Sequence, residues 1–545
     1  MNEPTAPAAP TRTASERPDL RLALPAVSTW LVMLAAAPLP AEWVVAGAAA
    51  LLTAALLLLC GRRGAAALLA AATLLCCGGG LAATGLRGVA RTTGPLPGLA
   101  AAGAQATLEV VVTADPRAVA VRAQPGHPGR SGAQGGLPGT AGPGAGPGRN
   151  PPPTLWVVPA RAERVRAGPR AWRVRQPVLV LATGQGWSSL LPSQRLRLPG
   201  SLQAPRPGDT VAAVIRVRGT PDVLTGPSRV QAVAGGLRAG LRAAAAGLAP
   251  AERGLLPGLV DGDTGGLDPQ LADDFRRTGL THLVAVSGSN CVAVLAAALL
   301  LGRLLRLGPR LSPVVAGALL VGFVVLARPS PSVVRAATMG LLGLGAVVAG
   351  RTRPALPALA ATVLGSLLLS PELARAPGFA LSVLASGALL VLVPGWRAAL
   401  VTRGWRRRAA EAVTVPLAAQ LACGPVIAVL SSSVSLVAVP ANLLAMPAVP
   451  LATVAGVVAA VLAPLSPTLA RLAAQLASLP CWWLVTVARV GAAAPGAQVS
   501  WAGGVGGGLI LAGTTVAVLA CLRRRRGRRL LVGAAAAVLV AVVLG

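Results

Sequence analysis

The sequence contains no lysine, so all 49 basic residues are arginine, set against 17 acidic ones for a formal net charge of +32. Only 2 histidines and 7 cysteines are present. Two histidines exclude a His-rich metal centre, and no Cys/His pair has the spacing of zinc ligands. Cys60, Cys76, Cys77, Cys291, Cys423, Cys481 and Cys521 all lie in or beside apolar runs. None falls in the polar stretch 88–250, so no disulfide framework is indicated there. A Gly-x-x-x-x-Gly-Lys-Ser/Thr phosphate loop is missing, so a motor would have to be another protein. What is abundant is apolar: 54% of residues are hydrophobic, 12% are charged, and the mean hydropathy is +0.68. That is the composition of a polytopic α-helical membrane protein.

Residues 1–22 form a polar tail with Arg12, Arg17 and Arg21. Residues 23–87 hold three apolar segments, about Ala23–Ala37, Glu42–Cys60 and Ala65–Leu86, and the first reads as an uncleaved span. Arginines precede the first segment and, as Arg62 and Arg63, separate the second from the third. The positive-inside rule then places the N-terminus in the cytoplasm and the following domain outside.

That domain, 88–235, carries strand-like runs at Thr107–Thr113, Thr154–Val158, Trp172–Ala182 and Thr210–Arg218. About five short strands predict a small β-barrel, with an OB-like fold the natural candidate. Residues 124–153 are Gly/Pro low complexity and read as a disordered loop. Trp156, Trp172 and Trp187 are either stacking platforms for bases or core residues. Residues 236–280 read as surface amphipathic helices, one of them started by Asp268 as N-cap and Pro269. Asp261, Asp263, Asp268, Asp273 and Asp274 serve either as oxygen ligands for a divalent cation or as caps and turn residues. No metal or other cofactor is assigned.

From 281 to 545 the chain is nearly continuous membrane. Spans are expected near 281–302, 312–327, 332–349, 354–369, 379–394, 411–430, 434–462, 467–490, 505–521 and 530–544. The arginine-rich joints 303–310, 351–353, 397–408 and 523–529 all become cytoplasmic under one topology. They serve that topology alone or also favour a polyanion emerging on that side.

At the head of this region lies Gly279-Leu280-Thr281-His282-Leu283-Val284-Ala285-Val286-Ser287-Gly288-Ser289-Asn290. Polar groups at bilayer depth are costly unless they face protein or water. The run 287–290 has poor helix propensity, which predicts an interrupted helix. His282, Ser287, Gly288, Ser289 and Asn290 are therefore candidate lining of a polar path, or a structural break satisfied by neighbouring backbone. Arg335 is either a phosphate contact or a side chain snorkelling to the interface. Asn442, between Pro440 and Pro447, marks a second broken helix of the kind that builds central sites in transporters. No acid lies near His282 in sequence, so a Ser/His nucleophile lacks its third group.

Five motifs in order resemble the ComEC competence family: the Gly262-Asp263 loop, Gly279–Gly288, Pro331–Ala336 with Gly350-Arg351, Gly378–Ser382, and Pro416–Gln420 with Ala441–Pro447. The resemblance implies a channel that passes single-stranded DNA across the cytoplasmic (inner) membrane in natural transformation. It implies a path lined by His282, Ser287, Gly288, Ser289, Asn290, Arg335, Gln420 and Asn442, with Asp263 in the family's loop. Implied partners are the lipid bilayer, an external DNA receptor, a cytoplasmic ATP-driven translocase and a separate nuclease, with oligomeric assembly left open. The family's metallo-β-lactamase-like domain is absent, since no His-x-His-x-Asp-His run exists. No enzymatic activity or catalytic residue is therefore expected of this chain. The alternative is a transporter or flippase for another substrate, which also suits broken helices but leaves the external domain unexplained.

Overall fold

The computed structural model describes residues 21–61, 64–119, 155–206, 208–284, 286–328, 330–348 and 355–523. The N-terminal tail, the loop 124–153 and the span expected at 530–544 lie outside the described residues. The chain divides into two units, Gly85–Gly236 and the remainder.

Three helices open the chain: α1 (Ala23–Ala36), α2 (Ala41–Gly61) and α3 (Ala65–Thr92). After the short α4 (Pro95–Ala101), the unit Gly85–Gly236 is built on strands β1 (Gln105–Val112), β2 (Arg117–Val119), β3 (Leu155–Ala167), β4 (Arg170–Thr183), β5 (Arg195–Gln203), β6 (Ala213–Arg218) and β7 (Asp222–Thr225). These form a seven-stranded sheet in the order β1-β3-β4-β6-β5-β7, with β2 on β3 and a further β1–β5 pairing. All pairs are antiparallel except β4–β6.

Two strands are longer than the short runs expected, and β5 was not foreseen. In β5 alternating arginines mask a buried period-two stripe, Leu196, Leu198 and Leu202. The same alternation buries Ala106, Leu108, Val110 and Val112 on β1. Trp187 is fully buried and its indole N–H donates to the Gly219 carbonyl at 2.8 Å. Trp156 and Trp172 pack against the same core, so all three tryptophans have a packing role.

The larger unit continues with α5 (Arg229–Ala245), α6 (Pro250–Asp261), α7 (Pro269–Arg277), α8 (Thr281–Val284), α9 (Gly288–Leu304), α10 (Leu311–Ala327), α11 (Pro331–Val348) and α12 (Ala355–Leu369). A 3-10 turn at Pro371–Arg375 leads to α13 (Pro377–Val391), α14 (Val393–Val401) and α15 (Arg407–Ser431). Strand β8 (Ser433–Ser435) pairs with β9 (Gln498–Ser500), and between them lie α16 (Ala438–Ala445), α17 (Ala448–Leu462) and α18 (Pro467–Ala493). Helix α19 (Gly504–Arg523) is the last described.

Among the described residues, five helical segments are long and apolar enough to cross a membrane: Ala41–Gly61, Ala65–Thr92, Pro377–Val401, Arg407–Ser431 and Pro467–Ala493. The bent pair α16–α17 makes a sixth. Six more apolar helices contribute shorter stretches of 10–17 residues to the described part of the chain. At 1.5 Å per residue, 17 residues reach about 25 Å, the lower end of what crosses a hydrocarbon layer of roughly 30 Å.

The stretch 236–280 also differs from the expected surface helices. Nine of the twelve residues of α6 are buried. Its partner α17 presents Gly456, where an added Cβ would stand 2.3 Å from Val260 Cγ2. The absent side chain is what admits α6 so closely. Helix α7 does start as read: the Asp268 carboxylate accepts from Gln270 N at 3.1 Å. Elsewhere α1 is anchored by Trp30, which donates to the Ala374 carbonyl at 2.9 Å and meets Phe379 edge-on at 5.6 Å.

Replacing Trp187 with alanine removes a buried aromatic and leaves the Gly219 carbonyl unpaired, at a cost of about 3–5 kcal/mol. Limited proteolysis of the full chain should then cut within 105–225 at protease levels that leave the wild type intact.

Candidate functional site

The long polar motif is an interrupted helix, as its composition predicts, but the break falls before Gly288 rather than across Ser287–Asn290. Helix α8 ends at Val284 and α9 starts at Gly288, with Ser287 extended (φ −114°, ψ 171°) as its N-cap residue. Ser287 Oγ makes no capping bond to the helix. It lies 2.6 Å from Ser289 Oγ and donates to Asn290 Oδ1 at 3.1 Å, while Ser289 Oγ donates to the same oxygen at 3.3 Å. Asn290 is 1% exposed, and its Nδ2 donates to the Leu259 carbonyl at 2.7 Å. That carbonyl lies in the last turn of α6, where helical C=O groups lack intrahelical partners. The amide is thus committed to joining α6 to α9. His282, on α8, is exposed, whereas Leu283 and Val284 beside it are buried.

The same end of α6 is held by a second donor. Arg238 Nη1 donates to the Asp261 carbonyl at 2.6 Å and to the Leu326 carbonyl at 3.1 Å, and so bridges the C-termini of α6 and α10. A cation there is favoured by both helix dipoles. Gly262 turns the chain with φ 79°, the left-handed conformation glycine adopts without strain. Asp261 Oδ1 then accepts from Asp263 N at 2.9 Å, and Asp263 Oδ2 accepts from Arg242 Nη1 at 2.8 Å. The family-loop residue Asp263 is therefore ion-paired. Among the described residues no group of three or more His, Cys, Asp or Glu side chains is placed to hold a metal.

Asp261 is 1% exposed, and its Oδ2 stands 3.9 Å from Arg238 Nε without a hydrogen bond. Burial pushes its carboxyl up to about 6, against the opposing pull of Arg238. Burial also raises the Asp274 carboxyl, with Arg277 and Arg489 opposing.

Arg335 sits in the second turn of α11 and is 5% exposed, so it does not snorkel out of its unit. Its Nε donates to Ser382 Oγ at 3.1 Å, Nη2 donates to the same hydroxyl, and Nη1 faces Met339 sulfur at 3.4 Å. A Cβ on Gly288 would lie 3.7 Å from Arg335 Nη2, so the guanidinium stands at the head of α9. The structure thus brings together Ser287, Gly288, Ser289, Asn290 and Arg335. Ser382, adjacent to the guanidinium, was seen in the sequence only as part of a motif.

Gln420 is half-buried on α15. Asn442 donates from Nδ2 to the Ala438 carbonyl of its own helix at 2.8 Å. The break it marked is real, since α16 and α17 meet at 47°. Trp483 Nε1 from α18 satisfies the Leu444 carbonyl just before that bend at 2.8 Å.

The β unit carries a charged cleft of about 660 Å³ lined by Glu109, Arg161, Glu163, Arg164, Arg173, Val174, Arg175 and Arg195. Glu163 pairs with Arg195 at 2.7 Å, and Glu109 with Arg164 at 3.5 Å. Arginines outnumber the acids, which leaves the cleft cationic. The signal was present as Arg173-Val174-Arg175, two cations on one strand face opposite Arg164 of β3. It was not picked out in so arginine-rich a chain.

These features define a class: a polytopic membrane protein with a separate β unit and interrupted helices whose polar groups meet inside the larger unit. Residues 259–526 match the family model described as Competence protein. The chain is also 30% identical over 202 residues to the ComE operon protein 3 of Bacillus subtilis (strain 168), an overlap covering 36% of this chain and 25% of that protein. No solved structure matches the chain. Over the matched residues the chain is similar to ComEC-type competence proteins. The match spans a quarter of that relative's length.

Two variants test this site. Asn290→Ala should lower the stability of the detergent-purified chain by about 1–3 kcal/mol, read as a lower Tm, because it strands the Leu259 carbonyl. For Asp261 the folded state binds the proton more tightly than the unfolded chain, whose carboxyl titrates near 3.8. Its contribution is therefore most favourable below about pH 4 and is lost as pH rises towards and past about 6, by up to roughly 3 kcal/mol. Asp261→Asn should flatten that fall in Tm, and an equal fall in both proteins would count against it.

Proposed function

We propose that this chain conducts single-stranded DNA inward across the cytoplasmic membrane during DNA uptake, without catalytic residues of its own. The observation that carries the reading is the pair of interrupted helices, α8–α9 and α16–α17, inside the competence-matched stretch. Interrupted helices are how membrane proteins bring backbone and polar side chains to a central path. The exposed His282 and the partly exposed Ser287, Gly288, Ser289 and Gln420 line that path. Asn290 and Asn442 brace it through their bonds to backbone carbonyls.

The β unit lies outside as an OB-like domain, with the N-terminus in the cytoplasm. The OB-like reading draws on its strand pairing: β1 bonds both β3 and β5, and β4 lies parallel to β6. Its arginine cleft meets the phosphate backbone first, a sequence-independent and salt-sensitive contact suited to any DNA. An external receptor, a cytoplasmic ATP-driven translocase and a separate nuclease complete the system.

The test is DNA uptake in a deletion strain. Labelled DNA should bind the surface but fail to become cytosolic and recombine. Wild type should restore uptake, while His282→Ala should restore it poorly despite normal insertion in the membrane. Unchanged transformation on deletion would transfer the helix breaks to the transport of some other cargo.

A further inference from the structure

The charge balance around Arg335 is incomplete. Its guanidinium is sealed inside the larger unit at 5% exposure. Among the described residues the only ionisable group acting on it is the Cys291 thiol, and no carboxylate reaches it. Its donors rest on one serine hydroxyl and a weakly accepting thioether, neither of which carries a charge to balance it.

The surrounding backbone makes the imbalance worse. Gly288 begins a 17-residue helix, and an N-terminus carries about half a positive charge, although the Asn290 amide already donates to the Ser287 carbonyl at 3.2 Å. The Ser287 side chain does not cap this helix. Arg335 and Ser382 lie in the second turns of α11 and α13, so three N-terminal helix segments converge on one buried cation. Like-signed charge packed this closely at low dielectric is unfavourable until an anion joins it. An oxyanion with two free oxygens would take one guanidinium edge and the α9 amides together.

We propose that Arg335 and the first turn of α9 form a site for a phosphodiester group of the strand in transit, with Ser382 holding the guanidinium between occupants. This rests on the DNA-conducting reading above. A phospholipid headgroup has the same phosphodiester chemistry, so the test separates the two sources.

The experiment uses the full chain in detergent, with Arg173→Gln and Arg175→Gln installed to weaken the cleft of the β unit. Binding of a labelled single-stranded oligodeoxynucleotide is followed by anisotropy over a salt series. Arg335→Gln should weaken binding about tenfold or more and reduce the log–log salt slope by about 0.7. Arg335→Lys should fall between, and Ser382→Ala should bind as tightly as the parent or tighter. A methylphosphonate oligonucleotide, whose backbone is neutral, should gain nothing from Arg335.

A folded Arg335→Gln protein with unchanged affinity and slope would overturn the site. Should that variant misfold, parent-like binding by Arg335→Lys together with weaker binding by Ser382→Ala overturns it instead. A phospholipid that copurifies with the parent and is missing from Arg335→Gln would assign the site to a headgroup and overturn the strand as its ligand. The two readings fail separately. Lost uptake on deletion with parent-like binding by Arg335→Gln sinks only this site, whereas Arg335-dependent binding with normal uptake on deletion sinks only the transport reading.

Discussion

Every helix that stops inside an apolar bundle leaves carbonyls or amides without partners, and in hydrocarbon no water is there to take them. The larger unit answers this at the ends of α6, α10 and α16 with a side chain from another helix. Asn290 takes the Leu259 carbonyl, Arg238 takes those of Asp261 and Leu326, and Trp483 takes that of Leu444. Each donor spans elements far apart in sequence, so the breaks that open the bundle also lock it together. The last turn of α6 is the meeting point, and close approach there needs Gly456 on α17 and the left-handed Gly262.

The arginines divide by environment. On the β unit most are exposed, and several are paired with Glu109 and Glu163. Inside the larger unit Arg238 is compensated by two helix C-termini and Asp261, whereas Arg335 meets helix N-termini of its own sign. One residue type thereby does structural work at one place and leaves a charge to be answered at another. The orientation of the neighbouring helix dipoles makes the difference.

Much of this was legible in the residues. Apolar runs and arginine joints announce a membrane protein, alternation announces β1, and Asp268-Pro269 announces the start of α7. The poor helix formers around Ser287 announce a break, and Pro440 and Pro447 announce another. Other features were not legible. Alternating arginines hid β5, because they masked the buried leucines between them. Asn290 looked like pore lining, since composition shows a polar atom but not the carbonyl it already serves.

The sequence by itself determined the class of protein, the places where helices break, and the sign of the charge that any partner must answer. These follow from local propensity, hydropathy and composition, which act within a few turns of chain. Only the tertiary structure decided which polar groups are spent on holding the breaks and which remain to act. That depends on partners such as Leu259 for Asn290, 31 residues away, and Ser382 for Arg335, 47 residues away. Hydrogen bonds and charge pairs act over a few ångströms of space, and only the folded chain sets those distances.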